Sequence, residues 1–272
     1  NLTFSNHDIM PYSDLNFRVR NTLQTLGVLS VMVIGTLIYV HIVSPLLSPV
    51  NATNTPVSVF IDEDDTQDSV RIKAGNPTGW GLLDWYFEAQ PRTGHYLVKP
   101  QEKIYQAYRM FRNGTQTPVR VTVPQVRTMN QLASRLSSQL MLDSTAISSL
   151  LHDTAYVSRM GYTQETLPAL FIPNTYEMWW NTSAEKLMQR MQKENKAFWT
   201  KERMDKAQEA GMTPVEVSTL ASIVCEETRY TPEMPKVAGM YIRRLQIGMP
   251  LQADPTVKFA TGDFSLRRIY NK

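Results

Sequence analysis

"MTPVEVSTLASIVCEET", residues 212–228, decides the fold of the C-terminal half, because it marks the start, the buried face and the end of one helix. Thr213 is a suitable N-cap, Pro214 fits the first helical position, and Glu216 stands where a capping box needs a carboxylate. The pattern predicts a helix from Pro214 to about Thr228.

The end of this stretch holds three candidate catalytic side chains in a row, Cys225, Glu226 and Glu227. At about 100° per residue, Glu226 points away from the apolar face, whereas Glu227 projects within it. The apolar face consists of Val217, Leu220, Ala221, Ile223 and Val224. Burial there favours the neutral carboxyl group and would raise the pKa of Glu227 toward that of a general acid. Pairing with Arg229 or Lys236 would instead give Glu227 a structural role.

Cys225 is the only cysteine of the chain. A catalytic thiol needs a base that activates it, and only His95 or His152, both distant in sequence, could fold close to it. The alternative is a small buried residue, and a cysteine hydrolase is therefore the weakest of the enzyme hypotheses.

A second helix is predicted from near Thr231 and Pro232 to a stop at Gly248. Its apolar positions at helical spacing are Ala238, Tyr241, Ile242 and Leu245. The loop "MPLQADPTVKF" follows, and it would bring Gln252 and Asp254 beside the end of the first helix if the two helices form a hairpin. Otherwise these two residues only shape a turn.

The stretch "TLQTLGVLSVMVIGTLIYVHIV", residues 22–43, contains no Asp, Glu, Lys or Arg. As a helix it would be about 33 Å long, enough to cross a hydrocarbon core of roughly 30 Å. A single transmembrane helix is predicted; a buried core helix and a cleaved signal peptide are the two alternatives.

The charges on either side of this span predict its orientation. Arg18 and Arg20 precede it, and the first charges after it are acidic, at 62–65. The positive-inside rule then places residues 1–21 in the cytoplasm and the later domains outside the membrane. Residues 44–56, rich in Pro, Ser, Thr and Asn, are predicted to be a linker.

The region after this linker is predicted to be α+β. Val57–Ile61 and residues 69–73 are read as strands, and a helix with Ile104, Ala107, Tyr108 and Phe111 on one face is expected to end at Gly114. Val119, Val121 and Val123 alternate as in a half-buried strand, and Thr128 with Gln131 has capping-box spacing before the next helix. Over residues 57–142 this strand-then-helix order resembles a LysM-like subdomain, the alternative being an unspecialised α+β domain.

Residues 143–200 are predicted to be mostly helical, with an interruption at "FIPNTYEMWW". Pro173 blocks a helix, and Asn174 with Thr175 favours a turn. The aromatic residues that follow, Tyr176, Trp179 and Trp180, could stack on sugar rings or belong to a core.

Composition excludes some classes of partner and cofactor. The 272 residues carry a net charge of only +3 without a Lys/Arg block, which argues against nucleic acid as a partner. The four histidines lie far apart, so no metal or cofactor site is predicted.

With these elements placed, "LASIVCEET" and the downstream "KVAGMYIRRLQIGMPLQADPTV" resemble the signature of the MltG-type (YceG-like) endolytic murein transglycosylases. That signature reads A-S-I-V-E-x-E-T, then V-A-x-V-F-x-N-R-L-x-x-G-M-x-L-Q-[ST]-D-P-T. "GHYLVKPQEKIYQAYRMFRNG" and "FIPNTYE" also look like segments of the family, so the resemblance covers most of residues 57–272.

The resemblance implies a single-pass inner-membrane protein with a LysM-like subdomain and a catalytic domain, residues 143–272, in the periplasm. Such proteins cut nascent glycan strands between N-acetylmuramic acid and N-acetylglucosamine and leave 1,6-anhydro-muramyl ends, without metal or cofactor. The catalytic glutamate of the motif falls on Glu227. The resemblance makes peptidoglycan strands the substrate and peptidoglycan synthases the expected partners. The substrate-binding residues it suggests are Thr228, Tyr241, Arg244, Gln252, Asp254 and Tyr176.

The chain departs from the family pattern at two positions. Cys225 replaces the first glutamate of the motif, and Arg243 replaces an asparagine. The sequence also ends at "RRIYNK", before two further family segments, and the catalytic domain is expected to be incomplete there. A catalytically impaired peptidoglycan-binding or scaffold protein of the elongation machinery is therefore the alternative function.

Overall fold

The structure is a computed structural model, and it describes residues 12–87 and 90–266. The chain divides into two compact units between Thr117 and Pro118. Both units combine helices with one antiparallel strand pair, so the fold is helix-rich α+β. The predictions made for residues 1–11 and for the final "RRIYNK" concern residues outside the described ranges.

The first unit contains five α-helices and two strands among its described residues. The helices are α1 (Tyr12–Ile38), α2 (Ser44–Leu47), α3 (Gln67–Lys73), α4 (Trp80–Phe87) and α5 (Ile104–Asn113). The strands are β1 (Val57–Ile61) and β2 (Gly94–Val98), and a π-helical turn, Tyr39–Val43, joins α1 to α2.

The N-terminal helical segment Val19–Leu47 is long and apolar enough to cross a membrane, and none of its most apolar window is buried. It is therefore not the core helix that the sequence left open. The π turn has a local cause: Pro45 lacks the N–H of a regular helix and its ring clashes with the carbonyl four residues earlier. The Ser44 N–H instead bonds to the Tyr39 carbonyl, five residues back. The segment is consistent with a single-pass anchor.

Residues 44–56, the predicted linker, are held against the first unit through residues 44–51, whereas residues 52–56 are exposed. The buried Asn51 side chain donates to the Val98 carbonyl at 3.1 Å, and the Val50 N–H donates to the Glu102 carbonyl at 2.7 Å. Composition indicated a loose segment, but a buried amide with backbone partners fixes it in place.

The core of the first unit lies between the β1–β2 pair and the helices. In the antiparallel register Val59 stands opposite Tyr96, and Ile61 opposite Gly94. Helix α5 is confirmed: its four predicted apolar residues are buried, and Gly114 ends it at a φ of 70°. A positive φ of this size is readily adopted only by glycine.

The strand predicted at residues 69–73 is wrong, because this segment is helix α3. The Thr66 hydroxyl accepts a hydrogen bond from the Ser69 N–H at 3.2 Å and caps the helix. Only Val70 of the helix is buried. One buried position in seven residues is enough for a short capped helix, whereas a half-buried strand would bury alternate residues.

The second unit contains eight α-helices, two short 3-10 helices (Leu167–Leu170 and Thr231–Glu233) and two strands among its described residues. The strands are β3 (Val119–Val123) and β4 (Asn174–Met178). The helices are α6 (Met129–Ser137), α7 (Ser144–His152), α8 (Thr154–Arg159), α9 (Ala184–Phe198), α10 (Lys201–Glu209), α11 (Pro214–Glu227), α12 (Met234–Gln246) and α13 (Asp254–Thr261).

Strand β3 is confirmed, and it pairs with β4 so that Val121 faces Tyr176. The turn predicted at Asn174 and Thr175 is therefore wrong: both residues belong to β4, because β3 supplies backbone partners that no local signal reveals. This pair joins residues on both sides of position 142, so the compact unit starts before the expected catalytic domain. The LysM-like and catalytic domain boundaries remain proposals.

Two separate apolar clusters support the second unit. The larger one packs around β3, β4 and helices α6 to α9. The smaller one joins α11, α12 and the loop before α13, and its buried members are Leu220, Ile223, Val224, Tyr241 and Ala253. The family-like motif lies on this smaller cluster.

Candidate functional site

Helix α11 begins as its sequence predicts. The Thr213 hydroxyl accepts from the Glu216 N–H at 3.3 Å, and the Glu216 carboxylate accepts from the Thr213 N–H at 2.7 Å. Pro214 occupies the first turn, and the helix ends at Glu227. The reciprocal cap fixes the phase of the helix, and the phase fixes the direction of every side chain in the motif.

Glu227 is exposed at the last turn of α11, which corrects the expectation that it is desolvated. Its helical phase is that of the buried Leu220 and Ile223, as predicted. Phase determines direction only, however, and no described element covers the carboxylate at this end of the helix. Ala221, which was assigned to the apolar face, is also exposed.

Tyr241 of α12 is the buried neighbour of Glu227. Burial raises the pKa of Tyr241, and the charge of the Glu227 carboxylate and its hydrogen bond with the tyrosine hydroxyl raise it further. Asp254 acts in the same direction and Arg244 in the opposite one. Three of the predicted site residues, Glu227, Arg244 and Asp254, therefore act electrostatically on the hydroxyl group of a fourth, Tyr241.

Glu226 points to a different part of the second unit. It forms an ion pair with Arg127, which follows β3, with a shortest distance of 2.8 Å between Nη2 and Oε2. Both glutamates are exposed, so the predicted difference in burial is wrong; the ion pair of Glu226 with Arg127 shows only that the two side chains point in different directions. Sequence reasoning missed Arg127, which lies 99 residues away and carries no local signal.

Cys225 is half-buried, and its Sγ lies 3.8 Å from Nε2 of Gln125. His95 bonds to Ser58 and to Thr117, and His152 bonds to the Ser148 carbonyl. None of these hydrogen bonds involves the Cys225 thiol, so the bonds of the described imidazoles give no support to a cysteine nucleophile.

Thr228 directly follows Glu227 and shapes the turn between α11 and α12. Its hydroxyl donates to the Glu233 carboxylate at 3.0 Å and accepts from the Tyr230 N–H at 3.1 Å. Thr228 therefore holds the backbone beside Glu227, whatever it contributes to binding.

The loop after α12 is held in place by Arg244, one of the predicted site residues. Arg244 donates to the Leu251 carbonyl, and Gln252 adopts a φ of 53°, which is uncommon for a residue with a side chain. Gln252 and Asp254 are both exposed, and α13 packs against α11. Ala253 of this loop is buried against α11 and α12, and Arg244 holds the loop, whereas the placement of Gln252 and Asp254 beside Glu227 stays a prediction.

Tyr176 lies apart from this group. It is only 6% exposed in the larger cluster, and its hydroxyl donates to the Ile172 carbonyl at 2.7 Å. The burial leaves no free ring face for stacking on a sugar, so its predicted binding role is not supported. Trp179, in contrast, is exposed.

Within the described residues, no group of three or more His, Cys, Asp or Glu side chains is arranged to hold a metal ion. The groups that converge are a carboxylate, a phenol, a guanidinium and a second carboxylate. Such a set can bind and transfer protons and hydrogen-bond to hydroxyl-rich ligands.

Fold and site together define a helix-rich α+β protein with an apolar N-terminal helix and an exposed glutamate beside a buried tyrosine. The family model described as "YceG-like family" matches residues 75–272, most of the chain, so the protein belongs to the YceG-like family. It is also similar to the 2.6 Å crystal structure of a putative YceG-like protein from Listeria monocytogenes, with 21% identity and a TM-score of 0.52. That match covers 80% of this chain and 79% of the other, and supports the fold alone. No curated protein matches the chain.

Proposed function

We propose that the protein is a membrane-anchored lytic transglycosylase that cleaves the β-1,4 bond between N-acetylmuramic acid and N-acetylglucosamine of peptidoglycan. The observation that carries the proposal is the position of Glu227, which is exposed at the end of α11 within the region matched by the family, on the helix that packs against the buried Tyr241. An exposed carboxylate at the end of a capped helix is accessible to a polymer that no closed pocket could hold.

The proposed reaction uses Glu227 twice. Its carboxyl group first protonates the bridging oxygen, the bond from the muramyl C1 to that oxygen breaks, and N-acetylglucosamine leaves with a free 4-hydroxyl group. The resulting carboxylate then removes the proton of the muramyl C6 hydroxyl while O6 bonds to C1. The proton returns to Glu227, water is not consumed, and the product is a 1,6-anhydro-muramyl end.

Tyr241 has a positioning role in this proposal. Its buried hydroxyl group is the electrostatic neighbour of the Glu227 carboxylate and can orient it by hydrogen bonding. The first step needs the protonated carboxyl group of Glu227, and removal of water from around a carboxyl group favours its protonated form. Since Glu227 is exposed, the bound glycan itself must exclude water from the carboxyl group.

The proposed location follows from the same features. The segment Val19–Leu47 would anchor the protein in the inner membrane with a cytoplasmic N-terminus, and both units would face the periplasm. The LysM-like assignment of residues 57–142, a glycan-binding role for that region, and the association with peptidoglycan synthases belong to this proposal.

The test is the release of anhydro-muropeptides from purified peptidoglycan, measured by mass spectrometry with the full chain in detergent. Glu227→Gln keeps the size of the side chain, and we expect it to lower release by at least about 10²-fold. Glu226→Gln is the matched control, because it changes the neighbouring glutamate, which is paired with Arg127. Undiminished release by Glu227→Gln would refute the assignment.

A second candidate is a peptidoglycan-binding protein with impaired catalysis. Cys225 favours it, because a carboxylate of the family pattern is replaced by a half-buried thiol in contact with Gln125. Co-sedimentation of the wild-type chain with insoluble peptidoglycan, without any anhydro product, would support this candidate.

A further inference from the structure

Helix α4 has an apolar face that the protein does not cover. Trp80 and Leu83 point into the core of the first unit. On the other side, Leu82, Trp85 and Tyr86 are 37%, 79% and 71% exposed, at the i, i+3 and i+4 spacing of a single helix face. A helix that is apolar on opposite faces needs a second apolar environment besides the core.

The exposed face of α4 also carries no charge. Asp84 is the one charged residue of the helix, and its side chain faces the protein instead of the solvent. There it lies beside Tyr108, and burial raises the pKa of its carboxyl group. Trp85 and Tyr86 are therefore presented to the outside without a neighbouring charge on their own helix.

The start of α4 is fixed against the end of the apolar segment Val19–Leu47. A Cβ atom on Gly79, the residue before α4, would lie 2.9 Å from the carbonyl carbon of Pro45 and 3.0 Å from its oxygen. Pro45 belongs to the last turns of the apolar segment. Since α4 is about 12 Å long, all of its residues lie within roughly that distance of the contact between Gly79 and Pro45.

We propose that α4 is an interfacial helix, and that its Leu82–Trp85–Tyr86 face lies in the headgroup region of the bilayer that the N-terminal segment crosses. Trp and Tyr are enriched at this depth of membranes, and an amphipathic helix parallel to the surface buries its apolar face there. The backbone of Lys103 pairs with that of Pro49, just beyond the segment, so a second part of the first unit is also held beside the end of the segment. The packed 44–51 segment and the interfacial helix would together hold the first unit on the membrane surface.

The test is quenching of tryptophan fluorescence in liposomes made with brominated phospholipids, using the full chain. The brominated lipid is expected to quench a fraction of the tryptophan fluorescence of the wild-type protein. Trp85→Phe is expected to lower that quenched fraction at least twofold. Trp179→Phe is the matched control, because Trp179 is also exposed but belongs to the second unit. Equal quenched fractions in the wild type and in Trp85→Phe would overturn the proposal.

A second measurement asks whether a copy of the chain, instead of lipid, covers the face. Tyr86→Cys in a Cys225→Ser background leaves one thiol, on the exposed face of α4. Under oxidation in liposomes we expect monomers, and a thiol that is protected from a water-soluble alkylating reagent. Disulfide-linked dimers, or rapid alkylation, would contradict an interfacial helix.

Discussion

At Glu227 the direction of a side chain and its solvent exposure have different origins. The capping box of α11 fixes the direction, which the sequence predicts correctly. Exposure depends on whether another element covers the last turn, and Glu227 is exposed there. The direction of the Glu227 side chain could therefore be predicted from the sequence, but its surroundings could not.

The link between Glu227 and Tyr241 can be measured without any substrate. The negative carboxylate disfavours the phenolate, so Glu227→Gln is expected to lower the pKa of Tyr241. Burial remains in the variant and keeps that pKa above the ordinary value of about 10. Difference titration at the phenolate absorbance band would show one tyrosine ionising at lower pH in Glu227→Gln. An unchanged curve, equal to that of Glu226→Gln, would mean that the two groups do not interact.

Asp65 makes the stability of the first unit depend on pH. Burial alone would raise the pKa of Asp65, but the hydrogen bonds from Lys73, from the Ser69 hydroxyl and from the Asp62 N–H outweigh it and lower the pKa. A lowered folded-state pKa adds stability that is present above the unfolded value of about 3.9 and is lost as the pH falls through the folded value.

Asp65→Asn is therefore expected to destabilise the first unit by about 1–3 kcal/mol at pH 7 and to flatten its loss of stability in acid. Hydrogen exchange of the β1 amides in the full chain measures this effect. Asp64→Asn, at the neighbouring exposed position, is the control and should change little. Equal exchange rates in both variants would contradict the assigned role.

At the scale of elements, helix ends were predictable where a cap or a glycine marks them. Thr213 and Glu216 start α11, and Gly114 ends α5, as expected. The errors at α3 and β4 have one cause, because strand pairing is non-local. β4 is a strand through its pairing with β3, whereas residues 69–73 lack a partner strand and form a helix.

The contact between Gly79 and Pro45 can be tested with a pair of glycine variants. Gly79→Ala places a methyl group against the Pro45 backbone, and we expect a loss of about 1–3 kcal/mol in the stability of the first unit. Gly81→Ala, two residues later, meets no atom within 4 Å and should be stabilising by about 0.5–1 kcal/mol, because alanine favours a helix. Denaturation of both variants in detergent measures the difference, and equal midpoints would argue against the close approach.

At the scale of the whole molecule, the chain consists of an apolar N-terminal segment continuous with one compact unit, and a second compact unit that carries the motif. The sequence located the apolar segment within a few residues, because a long uncharged stretch is a strong signal. It did not show that residues 44–51 are packed, since the partners of Asn51 come from a strand far along the chain.

Whether the mature protein still contains the apolar segment distinguishes a membrane anchor from a cleaved signal peptide. We expect the protein to stay in the membrane fraction through alkaline extraction, with an intact mass that includes residues 19–47. A shorter protein in the soluble fraction, with a new N-terminus after the segment, would contradict the anchor.

By itself, the sequence determined the apolar N-terminal helix, the start and phase of α11, the position of α12 and the motif that places the chain in the YceG-like family. These features depend on caps, periodicity and composition, which act over a few residues. Only the tertiary structure decided that Glu227 is exposed, that Glu226 pairs with Arg127 and that Tyr176 is buried. Burial and ion pairing depend on which distant segments pack together, and a periodic pattern gives the direction of a side chain but not what it meets there.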